Sequence, residues 1–314
     1  MKPSEWWKNF ALGMEVDAAG TFIYNGIKSL HDLPSFHHPV DAFEILYNIS
    51  VGVERLLKVA VVLLEHNDQC DIQALEQSLI THNTIELANR VASHKPLNLS
   101  SVHNEYLSLL TKFYKSIRYN RFSLNSAPNI YEEKEHLLTF LHKYIHVNVS
   151  NDEFIPTQNT NQVRIFIGRT TKAITDKVFH IIRQRAGELN IYTDELRPDS
   201  KALKVFYGER LDFIDEEIKK KEMLLFLMSP KSDGPHKELM QSIEALDMDA
   251  DMLPNYIQAI LNDRYLPFVE GIVDELYTEI DNVKDRLELV SLFDNENLSY
   301  GHEDEDEDED GEQI

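Results

Sequence analysis

From Phe43 to Glu65 apolar side chains recur at steps of three and four, through Leu46, Ile49, Val53, Leu57, Ala60 and Leu64. That spacing lines one face of an α-helix and predicts a long one here. The stretch "SSVHNEYLSLLTKFYKSIRYNRFSL" repeats the pattern through Val102, Tyr106, Leu109, Leu110, Phe113 and Ile117. Ser100 or Ser101 stands where an N-cap belongs, with Glu105 near the first turn. Between these two segments "DIQALEQSLITHNTIELANRVASH" predicts one or two shorter helices, closed at Lys95-Pro96. A helix from about Tyr131 to His146 follows, and an earlier one runs from Lys8 to about Leu30 before the loop "HDLPSFHHP".

A polar stretch, "SNDEFIPTQNTNQ", places a soft boundary near residues 150–160. Beyond it "QVRIFIGRTTKAITDKVFHIIRQRAGELN" reads as a long basic amphipathic helix, with further helical patterns at 209–227, 235–262 and 264–292. The short runs "VRIFIG", "KALKVFYG" and "EMLLFLM" also fit strands, because brief apolar runs carry no decisive period. Glycine and proline are scarce, at 11 each in 314 residues, which favours helices throughout. The expected fold is therefore all-α: a helical bundle over 1–150, a second mostly helical region over 151–295, and a tail over 296–314.

Charge gives the tail its character. The formal net charge is −23, and "HEDEDEDEDGEQI" places nine carboxylates between Glu303 and Glu312. Such a run repels itself and has nothing to bury, so it is expected to be disordered. It serves solubility, or it competes with a polyanion for a basic site. The single cysteine, Cys70, leaves no internal disulfide, no Cys-x-x-Cys pair and no nearby cation to activate the thiol. The opening "MKPSEWWKNFALGMEVDAAG" lacks a signal peptide's basic start and apolar core, and no apolar run approaches the roughly 20 residues that span a bilayer. A reducing, cytoplasmic setting away from membranes is the expectation.

Common catalytic signatures are missing: no Gly-x-Gly-x-x-Gly, no phosphate-binding Gly-x-x-x-x-Gly-Lys-Ser/Thr, no His-Glu-x-x-His and no Gly-x-Ser-x-Gly. His142 and His146 share a helical face but have no third ligand nearby, so neither a metal nor another cofactor is expected. What stands out is "KFYKSIRYNRFSL", residues 112–124, a basic and aromatic stretch in an acidic chain. Lys112, Lys115, Arg118 and Tyr119 fall within about two helical turns, and Arg121 follows. Basic groups in a last turn favour the helix dipole by a few tenths to about 1 kcal/mol each. The same groups supply forked donors for phosphate, with Tyr119 and Phe122 free to stack on a base. A second basic run, Arg164, Arg169, Lys172, Lys177, Arg183 and Arg185, is opposed locally only by Asp176.

Three segments together resemble the HEPN superfamily, helical bundles of prokaryotic nucleotide- and RNA-associated systems, over roughly residues 41–146. "FEILYNISVGVERLLKVAVVLLEH" is similar to the family's first long helix, with Glu54 shortly before Lys58. "THNTIELANRV" resembles the His-Asp/Asn-x-x-x-Leu opening of its middle helix, at His82, Asn83 and Leu87. "YKSIRYNRF" resembles the Tyr-x-x-x-Arg-Tyr ending of its last core helix, at Tyr114, Arg118 and Tyr119. The resemblance implies an antiparallel bundle, pairing of two copies, and an RNA, nucleotide or protein partner in a defence or toxin–antitoxin type system.

Many HEPN proteins are metal-independent ribonucleases that use an Arg, four to six intervening residues, then a His. In this chain Arg118 is followed at the required positions by Ser123, Leu124 and Asn125, and Arg90 with His94 is one residue too close. The first expectation is thus a module without standard catalysis that binds through Asn83, Lys112, Tyr114, Lys115, Arg118, Tyr119 and Arg121. The alternatives are a ribonuclease in which His82 supplies the displaced histidine beside Arg118, and a helical interaction scaffold.

Overall fold

The computed structural model describes residues 2–67, 69–120, 122, 124, 131–150, 152, 155–191, 196, 199–229, 234–261, 267–293 and 295. Arg121 and the acidic tail, 296–314, lie outside the described residues. The fold is all-α, and the described strands are a two-residue ribbon pair, β1 (Ser35–Phe36) and β2 (Thr157–Gln158), joined antiparallel. The chain divides into two compact units, Met1–Asp215 and Glu216–Ile314.

The first unit is built around α3 (Pro39–Glu65), which is apolar around most of its circumference and buried accordingly. Pro39 takes its first position, where a missing N–H costs nothing, and the His38 N–H donates to Asp41 Oδ2 at 3.3 Å. Before it come α1 (Pro3–Trp6), a π-helical turn (Trp7–Ala11) and α2 (Leu12–Asp32), which packs along α3. Glycine permits that approach: a Cβ on Gly52 would meet Ile23 and the Ala19 carbonyl across the interface.

Around α3 stand α5 (Thr84–His94), α6 (Ser101–Lys112), α8 (Glu132–Ile145) and α9 (Asn161–Glu188), while α4 (Ile72–Ser78) precedes α5. Side chains start two of these helices: Asp71 accepts from the Ala74 N–H and Asn83 from the Glu86 N–H. α6 continues through a π-helical turn (Phe113–Ile117) into α7 (Arg118–Asn120). α8 ends where His146 turns left-handed, with φ 52°.

The boundary expected at 150–160 is displaced, because the polar stretch there is part of the fold. Asn159 Nδ2 donates to the Leu30 and Leu33 carbonyls at 2.6 and 2.7 Å, and β2 pairs with β1. α9 then buries Val163, Ile167, Ile174, Val178 and Ile182 in the common core. Tyr106 of α6, fully buried, shares a hydrogen bond with Thr171 of α9 at 3.1 Å. The next helix, α10 (Lys201–Tyr207), packs on α2 and α9. All three segments with a possible strand reading are helical, the third of them in α11 (Ile214–Met228).

The second unit takes in most of α11, then α12 (Pro235–Ser242), α13 (Leu253–Leu261), α14 (Pro267–Tyr277) and α15 (Val283–Val290). Among its described residues Leu261 alone is buried. No helix of the described residues is long and apolar enough to cross a membrane.

Candidate functional site

Within the first unit, α3, the start of α5 and the π-helical turn after α6 bring their polar groups to one place. α3 contributes Glu54, a carboxylate only 6 % exposed in an otherwise apolar stretch. Such a group is stable only when paired. Lys58, one turn on, donates from Nζ to Glu54 Oε1 at 2.6 Å, and His82 Nδ1 lies 3.1 Å from Oε2. A carboxylate oxygen can only accept, so in the neutral imidazole the proton facing it sits on Nδ1. Nε2 then carries the lone pair, on a side chain that is 46 % exposed.

The position of His82 follows from its neighbours. Thr84 Oγ1 donates to the Leu107 carbonyl at 3.1 Å and lies 2.7 Å from Thr111 Oγ1, so the beginning of α5 is tied to the end of α6. Immediately after Thr111 the helix widens into the π-helical turn, which accommodates one extra residue and re-aims the side chains that follow. Phe113, Tyr114 and Ile117 of this turn are buried.

Tyr114 is the centre of the cluster. The His82 ring stands edge-on to it at 4.7 Å between centroids, and Tyr47 of α3 contacts it at 5.8 Å. The Arg118 guanidinium carbon lies 3.6 Å from the Tyr114 ring centroid and 4.5 Å from that of Tyr119. Arg118 Nη2 donates to the Tyr119 hydroxyl at 2.6 Å, while its buried Nε has no hydrogen-bond partner among the described residues. Burial raises the Tyr114 pKa, with Glu54 and Tyr47 adding to the rise and Arg118 opposing it, so the phenol stays protonated at neutral pH. The result is an arginine held against two aromatic rings, one of which also meets a half-exposed imidazole anchored on a buried carboxylate.

The structure thus gathers His82, Tyr114, Arg118 and Tyr119, and it does not gather the rest. Lys112 turns toward α8, with Nζ 2.8 Å from His136 Nε2. Asn83 is occupied as the N-cap of α5. Lys115 is exposed on the π-helical turn, and Arg121 lies outside the described residues. Tyr47 was missed by sequence reasoning although its signal was there: it stands seven residues before Glu54, on the same helical face, where both interrupt the apolar pattern.

Of the second basic run, Arg169 and Arg183 are exposed, while the other four groups are taken up inside the first unit. Lys172 pairs with Asp176 and donates to the Val205 carbonyl, Lys177 donates to the Asn98 carbonyl, and Arg185 donates to the Leu63 carbonyl and pairs with Glu188. Arg164 donates to the Leu33 carbonyl and Arg183 lies over the Tyr207 ring. Arg164, Lys172, Lys177 and Arg185 thereby join α9 to its neighbours. The His142 and His146 rings are 6.4 Å apart, and the Nδ1–H of His142 donates to the Val147 carbonyl at 2.9 Å. Among the described residues no group of three His, Cys, Asp or Glu side chains is placed to hold a metal ion.

No family model, curated protein or solved structure matches the chain.

Proposed function

We propose that the chain is a HEPN-like module that binds single-stranded RNA or a nucleotide at Arg118, without standard HEPN catalysis, in a prokaryotic defence or toxin–antitoxin type system. The observation that supports this most is the placement of Arg118 against the Tyr114 and Tyr119 rings. An arginine held against two rings loses little freedom on binding and keeps its remaining N–H groups for a phosphate. The Tyr119 ring, 53 % exposed, is available to a base. Single-stranded RNA titrated in EDTA should bind the parent chain. Arg118→Ala should weaken that binding by about 1–3 kcal/mol, the usual cost of losing charged hydrogen bonds. Unchanged affinity removes the reading.

A second reading, a metal-independent ribonuclease, is favoured by the Glu54–His82 contact. A carboxylate that holds Nδ1–H directs Nε2 outward, the geometry a general base needs to take a proton from a 2′-hydroxyl. Arg118 would then steady the phosphate as charge develops. The discriminating result is RNA cleavage in EDTA that is lost in both His82→Ala and Arg118→Ala. Binding without cleavage returns the chain to the first reading. The resemblance adds the pairing of two copies, which sedimentation at increasing concentration measures directly.

A further inference from the structure

The second unit leaves its apolar faces uncovered. In α15, Val283, Leu287 and Val290 recur at helical spacing on one face and are 38 %, 53 % and 38 % exposed. Leu253 and Ile260, seven residues apart on α13, are 51 % and 63 % exposed, and Phe268 of α14 is 46 % exposed. Isolated exposed leucines need no explanation, but apolar residues at helical period on both α13 and α15 do. A unit in which Leu261 alone is buried among the described residues lacks a core to stabilise it.

Charge identifies what covers these residues. Residues 244–288 hold twelve carboxylates against Arg264, Lys284 and Arg286. Arg286 donates to the Glu244 carbonyl and Lys284 is paired with Glu288. The nine further carboxylates of Glu303–Glu312 follow in the same part of the chain. A second copy would bring like charge against like charge, and a nucleic acid would do the same.

We propose that α13, α14 and α15 dock a basic amphipathic helix of a protein partner, its leucine-like face on the exposed apolar residues and its lysines or arginines toward the unit's carboxylates. This is helix-face recognition with anchors at i, i+3, i+4 and i+7. The acidic tail adds long-range attraction that raises the rate of encounter. The proposal is independent of the Arg118 site.

The test mixes the full chain with a synthetic peptide that carries leucines at i, i+3, i+4 and i+7 and lysines elsewhere, and with its counterpart in which glutamates replace the lysines. Fluorescence anisotropy should show binding of the lysine peptide that weakens with salt, and no binding of the glutamate peptide. Leu287→Asp and Ile260→Asp should each weaken it about tenfold or more. Both positions are exposed, so the variants keep the parent's far-UV circular dichroism. Equal binding of the two peptides, binding of neither, or unchanged affinity in both variants overturns the proposal. So does a dimer in sedimentation equilibrium that Leu287→Asp dissociates, which would assign these residues to a second copy.

Discussion

The Arg118 guanidinium lies 3.6 Å from the centre of the Tyr114 ring, and the same ring receives His82 edge-on at 4.7 Å. One buried tyrosine therefore positions two side chains that are 36 residues apart in sequence.

That arrangement makes Arg118→Lys a sharper test than removal. Lysine keeps the charge but has no plane to lie against Tyr114 and no fork for phosphate. RNA affinity of Arg118→Lys should fall by about 1 kcal/mol relative to the parent, between parent and Arg118→Ala, in titrations at fixed salt. Full recovery by lysine would mean that charge alone operates there.

Glu54 joins Lys58 and His82 from a buried position, so Glu54→Ala should strand the ammonium and release the imidazole. Urea denaturation should show a loss of about 1–3 kcal/mol. Glu54→Gln keeps the shape and removes the charge, and a stability equal to the parent's would show that the carboxylate is dispensable.

His103 predicts a pH response. Burial first, then Lys177, lowers its pKa below the ordinary 6.5. The folded chain therefore binds this proton more weakly than the unfolded chain, so the contribution to stability is present above pH 6.5 and is lost as pH falls from there through the lowered value. The bond at stake is visible: the Ser100 N–H donates to His103 Nδ1 at 3.1 Å, which a protonated ring cannot accept. Thermal unfolding followed from pH 7.5 to pH 5, roughly the range over which histidines titrate, should show a drop in midpoint that His103→Gln flattens, since glutamine at this position still accepts and does not titrate.

Two glycines of α9 test whether this helix belongs to the first unit's core. At Gly168 an added Cβ would collide with the Leu211 carbonyl, whereas at Gly187 it would meet nothing within 4 Å. Gly168→Ala should destabilise by about 1–3 kcal/mol, and Gly187→Ala should stabilise slightly, by up to about 1 kcal/mol. Equal effects at the two sites would contradict the packing of α9 described above.

Most of the helices were legible from spacing alone. α3, α6, α8 and α9 stand where apolar residues recur at three and four, since a helix that must bury one face writes that period into its sequence. The caps at Asp71 and Asn83 came from the structure, which spends on the start of α5 an asparagine that the sequence offered as a binding residue. Position in the fold was not legible either. A polar run such as 150–162 looks like a linker, and only the pairing of Thr157 and Gln158 with β1 and the reach of Asn159 to the end of α2 tie it into the fold. Arg118 and Arg185 are equally basic in sequence, yet one rests on aromatic rings at the end of a widened helix and the other is consumed by a carbonyl and a carboxylate. Residue type and period are properties of a segment and set its helix. Whether a charge is free to meet a ligand depends on which distant backbone and carboxylate groups lie within hydrogen-bond reach, and tertiary packing alone decides that.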